Sequence, residues 1–301
     1  MILAEVVRSG FVESVHHGSI VAGDITAGDV TAPIFPRSSS KPLQTVAMLR
    51  SGLVPRDAAD LALISGSHWG EPFHIRRVRD ILGHAGLEPS ALRCPPSLPL
   101  SEHARNAWLR SGGDAEPILM NCSGKHAGML ATCVANGWPL EDYLDPKHPL
   151  QVATAEVVAG LAGEPIAATG VDGCGAPVFA FSLTALARSF RRLVEAEPGT
   201  PERRVADEMR AHPDLVAGTG AEDTVLMEAV PGLLAKGGAE GVVAVAVPGV
   251  GAVALKIEDG AMRARTPVLL SALHKLGVEV PVMEELVFGG GEPVGQVRAV
   301  W

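Results

Sequence analysis

Segments with strand character lie at both ends of this chain, and helix-forming segments fill its middle. Residues 2–7 are apolar, and residues 11–15 and 19–22 flank His16-His17-Gly18, which reads as a hairpin turn. Late in the chain, residues 242–247 and 252–257 are joined by Pro248-Gly249-Val250-Gly251. A third late strand is expected at 261–265 after the turn signal Asp259-Gly260, and a last one at 294–300. Between these, Phe73, Ile75, Val78, Ile81 and Leu82 recur at helical spacing among Arg76, Arg77, Arg79 and Asp80, with Gly83 or Gly86 to end the helix. Residues 125–135, 151–161 and 266–276 have the same character. Antiparallel strands at the two ends predict one sheet built from both, covered by helices from roughly residue 40 to 235. This is an α+β fold in a single domain over 1–301, rather than a doubly wound parallel sheet. No Gly-x-Gly-x-x-Gly follows a strand and no Gly-Lys-Ser/Thr occurs, so the nucleotide-binding fingerprints are absent.

Composition narrows the partners. The chain has 301 residues, enough to bury a large core. With 25 basic against 34 acidic side chains the net charge is −9, and aromatic residues are only 4%. That balance argues against nucleic acid and anionic membranes, which call for a basic face. The longest apolar run, 241–255, is broken by Pro248 and falls short of the roughly 20 residues a span needs. Glu5 and Arg8 interrupt the position of a signal-peptide core, and four cysteines are too few for a disulfide framework. A cytoplasmic protein is expected.

Five segments carry groups capable of chemistry. In Pro36-Arg37-Ser38-Ser39-Ser40-Lys41-Pro42, Ser38 and Lys41 have the spacing that places a hydroxyl and an amine on one helix face. A serine becomes a good nucleophile once a base takes its proton, and an amine can do so only when neutral. Neutralising Lys41 near pH 7 demands about 4 to 5 kcal/mol, from burial or a second cation. Pro42 biases Lys41 away from the α region, so the helix is expected to begin at Pro42. The second segment, Ser65-Gly66-Ser67-His68-Trp69-Gly70-Glu71, brings Ser, His and Glu into a Gly-flanked turn. The third, Asn121-Cys122-Ser123-Gly124-Lys125-His126, combines a helix start, capped by Asn121 or Ser123, with a thiol, an amine and an imidazole. Asp172-Gly173-Cys174-Gly175 adds a carboxylate and a second thiol, and Lys236-Gly237-Gly238 leads into a late strand. Each alone is also explained by an ordinary polar loop or a buried thiol.

Together, the strings PRSSSKPLQ, SHWGE, NCSGKHAGML, GVDGCGAP and KGGAEG, in this order, resemble the bacterial asparaginase II family. Its fold is similar to serine β-lactamases and glutaminases, and it is unlike the threonine-dependent asparaginases. The resemblance implies two Ser-Lys pairs, Ser38 with Lys41 and Ser67 with Lys236. It implies zinc on Cys122, Lys125 and Cys174, and pocket roles for Arg37 and Asp172. A lysine ligand must lose its proton, and three protein ligands leave zinc a fourth position for water or substrate. One departure stands out: Ala221, in Gly218-Thr219-Gly220-Ala221, occupies a position where the family commonly shows arginine.

The implied reaction is hydrolysis of the side-chain amide of L-asparagine to aspartate and ammonia through an acyl-enzyme. Ser38 is expected to attack, with Lys41 as base and backbone N–H groups at the helix start holding the oxyanion. Substrate contacts are expected from Arg37 to the carboxylate, from Asp172 or Glu71 to the ammonium, and from His68 and Asn121. No organic cofactor is implied, and a homodimer is. The alternatives are a penicillin-recognising serine hydrolase, weakened because Asn does not stand two residues after Ser67, and a non-catalytic zinc- or amino-acid-binding protein on the same scaffold.

Overall fold

A computed structural model describes residues 1–301. Its strands are β1 (Ile2–Arg8), β2 (Phe11–Ala22), β3 (Ile25–Ala27), β4 (Pro33–Ile34), β5 (Ala168–Val171), β6 (Pro177–Ser182), β7 (Leu234–Gly237), β8 (Val242–Val247), β9 (Gly251–Ile257), β10 (Leu286–Gly289) and β11 (Glu292–Ala299). The main sheet runs β10-β11-β1-β2-β9-β8-β7, with β3 also on β2, and the pairings along it are antiparallel. A small second sheet runs β4-β6-β5. Strands from the two ends therefore interleave as the sequence predicts, β1 lying between β11 and β2.

Two strand expectations are corrected. His16-His17-Gly18 is not a turn, because β2 continues through it. The reversal instead falls at Ser9-Gly10, where φ of +48° and +81° suits a two-residue hairpin loop. Gly18 stays within the strand because a side chain there would strike the Lys256 carbonyl and Leu3. Residues 261–265 also do not form a strand. β9 already has β2 on one side and β8 on the other, so no free edge remains beside it. The chain takes a 3-10 turn at Met262–Ala264 and enters a helix at Arg265.

Eleven α-helices complete the fold. The middle holds α1 (Lys41–Arg50), α2 (Asp60–Ile64), α3 (Pro72–His84), α4 (Glu102–Arg110), α5 (Ser123–Asn136) and α6 (Pro149–Ala162). After the small sheet come α7 (Leu183–Glu195), α8 (Pro201–Ala211), α9 (Pro213–Val216) and α10 (Glu222–Ala229), and α11 (Arg265–Lys275) lies between β9 and β10. Every residue of β8 is buried, and nearly all of β9, which shows that both faces of the sheet centre are covered. α7 supplies part of that cover: Leu183, Leu186, Phe190 and Leu193 recur at helical spacing on its buried stripe against β8 and β9. No helix is long and apolar enough to cross a membrane.

Candidate active site

The Ser38 turn starts from a strained backbone. Arg37 has φ of +52°, in the left-handed region that a branched or long side chain rarely adopts, and opens a 3-10 turn over Arg37–Ser40. α1 follows without a break from Lys41, which is αR (φ −58°, ψ −39°) despite the proline after it, contrary to the expected start at Pro42. Thr45 Oγ1 donates to the Lys41 carbonyl, and Ser65 Oγ donates to Thr45 Oγ1, tying α1 to the Ser67 loop.

The Ser67 loop is threaded rather than hung on the surface. The backbone N–H groups of Ser67, His68 and Trp69 donate to Val216, Asn121 and Ala217. Gly66 lies so close to the 213–217 segment that a Cβ would come within 2.7 Å of the Val216 oxygen, so only glycine fits. The buried Lys41 Nζ donates to Gly66 O at 2.6 Å and to Ser67 Oγ at 3.0 Å. Its hydroxyl partner is therefore Ser67. Ser38 makes no hydrogen bond to it through the side chain, although three residues separate them; only the Lys41 N–H reaches the Ser38 carbonyl.

The second lysine has a different partner from the expected one. Lys236, on β7, donates to Gly237 O at 2.6 Å and to Asp223 Oδ2 at 3.3 Å, with no bond to Ser67. Asp223 also accepts from the Gly237 N–H with both oxygens. Burial pulls the Lys236 ammonium down to about 8, the Asp223 carboxylate opposing and Lys41 reinforcing the fall. Burial pushes Asp223 the other way, but Lys236, Arg265 and the Gly237 N–H outweigh it and keep the carboxyl below its ordinary value. Gly238 explains the double glycine: a Cβ there would stand 2.6 Å from the Pro36 oxygen and 3.2 Å from the Ser39 nitrogen. The end of β7 thus presses against the Ser38 turn.

Ser38, Ser67, Asn121 and Lys236 line one cavity of about 430 Å³, walled further by Trp69, Leu100, Ala221, Glu222, Met262 and Arg265. Four expected substrate contacts take up other positions. Arg37 Nε donates to Asp172 Oδ1 at 2.6 Å, so the expected carboxylate and ammonium receptors hold each other, and neither lines this cavity. His68 is fully buried, its Nδ1 accepting from Gly70 N and its Nε2 bonded to Ser123 Oγ. Burial, then His74 and Lys41, hold it well below the usual imidazole range, so it is neutral. Glu71 caps α3 and accepts from the Thr219 N–H and hydroxyl.

Behind Asn121, the thiol segments converge. Lys125 Nζ lies 3.2 Å from Cys174 Sγ, and Cys122 Sγ lies 3.3 Å from Asn121 Oδ1, the lysine and both cysteines being buried. Neither Asn121 nor Ser123 caps α5, since Cys122 stands at the N-cap with no side-chain bond. The Cys122 thiol, then Lys125 and His126, hold Cys174 far below the ordinary thiol range against burial. Burial works against the Lys125 ammonium, but Cys174, Cys122 and Asp172 raise it above its usual value. No three His, Cys, Asp or Glu side chains form a metal-ligand group, so a third donor has to be the amine. His126 Nε2 is buried with no hydrogen-bond partner. Two sulfurs and an amine are donor types that suit a thiophilic cation such as zinc.

Sequence reading missed Asp223, Glu222 and Arg265. An acid buried inside a helix start and an arginine beyond a turn carry no local signal of a shared wall, which only the fold creates.

The model of the L-asparaginase II family matches residues 4–299. No curated protein matches the sequence. Among solved structures, Mglu in its L-glutamate binding form is 15% identical, with a TM-score of 0.47 over 91% of this chain and 65% of that one. The chain therefore spans about two thirds of Mglu's length. A β-lactamase from Mycobacterium bovis is 17% identical, with a TM-score of 0.40 over 91% of this chain and 94% of that one. EstCE1, a hydrolase with promiscuous acyltransferase activity, is 14% identical, with a TM-score of 0.44 over 90% and 93%.

Proposed function

The chain belongs to the L-asparaginase II family, and we propose that it hydrolyses the side-chain amide of L-asparagine through a serine held by Lys41. The observation that carries this reading is the Lys41 Nζ to Ser67 Oγ hydrogen bond of 3.0 Å beside the cavity that Lys236 also lines. In its neutral form Lys41 takes the Ser67 proton as Oγ attacks the amide carbon. Lys236, on the same cavity wall, gives a proton to the leaving nitrogen as the C–N bond breaks, and ammonia departs from an ester of Ser67. Water then attacks the ester and gives its proton to the now neutral Lys236, Lys41 returns the first proton to the serine oxygen, and aspartate leaves with both amines restored. A base and an acid acting on one amide each contribute on the order of 10²- to 10⁴-fold.

Zinc on Cys122, Lys125 and Cys174 would supply positive charge and a ligand position behind Asn121, where it can orient a polar substrate group. The residues fit it, and the serine chemistry does not depend on it.

A second reading makes Ser38 the nucleophile, with Ser67 relaying its proton to Lys41. The left-handed backbone at Arg37, which aims the Ser38 turn at the cavity and at Gly238, favours it. Timed ammonia release from asparagine, glutamine and simple amides tests the activity, with a coloured β-lactam as the rival substrate. Mass spectrometry of the quenched enzyme identifies which serine carries the acyl group. β-Lactam cleavage without ammonia release would sink the amidohydrolase reading.

A further inference from the structure

A second cavity, between α3 and α4, is not used by the serine chemistry. Pro72, Ile75, Arg76 and Arg79 stand three or four residues apart along α3, so they share one face. His103, Ala104, Ala107, Trp108 and Ser111 do the same on α4. The groove between these faces has a volume of about 450 Å³, in the range of small-molecule sites. It stays open because α4 presents alanines where larger side chains would close it against α3. Buried Pro99 and Leu119 complete an apolar lining.

The walls are held in place. Trp108 Nε1 donates to Asp114 O at 2.8 Å, and a side chain on Gly113 would run into the indole, so the residues after α4 fix the ring. At the other end, Ser101 N–H donates to Trp69 O at 2.8 Å, and a Cβ on Gly70 would come within 2.9 Å of Pro99. Arg105 Nε holds the Pro99 carbonyl at 2.9 Å. Trp69 and Leu100 line the catalytic cavity, whereas Gly70 and Pro99 line this one, so a single layer of chain separates the two. A wall already tied by hydrogen bonds spares a ligand the cost of ordering it.

The charge on the rim is one-sided. Arg77 donates to Asp60 Oδ1 at 2.7 Å and to Asp57 Oδ2 at 3.2 Å, and Arg56 pairs with Asp60 and Asp80. Arg76 and Arg79 have no such partners: neither side chain makes a hydrogen bond or an ion pair, and nor does His103 across the groove. No Asp or Glu lines the cavity, in a chain whose net charge is −9. Two guanidiniums three residues apart on a helix repel, and a bound anion relieves that repulsion. The complement of this lining is a flat apolar body carrying one carboxylate. The body rests against Trp108 and Pro99, and the carboxylate meets the planar guanidiniums at the rim.

We propose that the α3–α4 groove is a binding site for a small aromatic carboxylate, separate from the catalytic cavity and independent of the amidohydrolase reading. Calorimetry of the full chain at low ionic strength tests it with 2-naphthoate. One naphthoate should bind per chain, and more weakly as salt is added. The neutral 2-naphthylmethanol should bind at least about tenfold less tightly, and acetate, which lacks the apolar body, should give no measurable heat. Arg76→Gln combined with Arg79→Gln should bring naphthoate down to the affinity of the alcohol. Ala107→Phe, which fills the groove from an exposed helix position, should abolish binding of both. Circular dichroism confirms that each variant is folded, and the arginine pair decides the question if Ala107→Phe is not. Equal affinity for the acid and the alcohol, or naphthoate binding unmoved by these substitutions, would overturn the site. So would capture of a glutamate- and leucine-rich helical peptide without any naphthoate binding, which would point to a protein partner instead.

Discussion

The amine of Lys41 bypasses the hydroxyl three residues before it and bonds to Ser67, 26 residues away, at 3.0 Å. A spacing that suggests a local pair thus serves a long-range one. Ser67→Ala and Lys41→Ala should each lower kcat/KM by about a thousandfold or more, and the double variant should be little worse than either, as for groups acting as one unit. Ammonia release with circular dichroism as the folding control checks this. Additive losses would separate the two residues.

Lys236 should give the rate an alkaline limb. With its ammonium drawn down to about 8, the proton donor is lost as pH rises through that value, and kcat should fall there. Asp223→Asn removes the anion that holds the proton on, so the limb should move to lower pH. A pH–rate profile unchanged in that variant would exclude Lys236 as the acid.

Protein purified without chelator should carry about one zinc per chain, and Cys122→Ser and Cys174→Ser should each lose it, as measured by elemental analysis. Metal-free wild type with full activity would remove zinc from the proposal.

Gly238→Ala should cost about 1 to 3 kcal/mol and reduce turnover, because the new methyl meets the Pro36 carbonyl, which has no flexible end to yield. Denaturant melts measure the first and ammonia release the second. Wild-type behaviour in both would show that β7 and the Ser38 turn are not in contact.

Acid should destabilise the fold from about pH 6.5 downward. His68, His74 and His126 are held below the ordinary imidazole value of 6.5, chiefly by burial. Below that pH the unfolded chain takes up protons that the native rings refuse, so stability present above 6.5 is lost as pH falls. Melting temperature followed from pH 8 to 5 should drop across this window. His68→Asn should flatten the drop.

Much of the fold was legible because it is written in short-range patterns. The alternating and continuous apolar runs of 242–247 and 252–257, and the helical spacing of Phe73 to Leu82, fix their elements with little help from context. The errors fall where a residue's neighbours lie far along the chain. Asp259-Gly260 is a sound hairpin signal, defeated only because β9 has no vacant edge. The Ser and Lys types at the site were readable, but their pairing was not, since which hydroxyl an amine meets depends on how 65–70 threads past 213–217. Arg37 and Asp172 were likewise readable as charged neighbours of the site, but not as partners to one another. Glu222 and Arg265 gave no local sign at all.

The position of β1 between β2 and β11 has a consequence for synthesis. Residues 2–8 are made before every other strand of this sheet, yet one of their two neighbours, 292–299, is the last of those strands to be made. Until then the early hairpin keeps an open backbone edge. The growing chain must therefore hold an incomplete sheet until that last strand arrives.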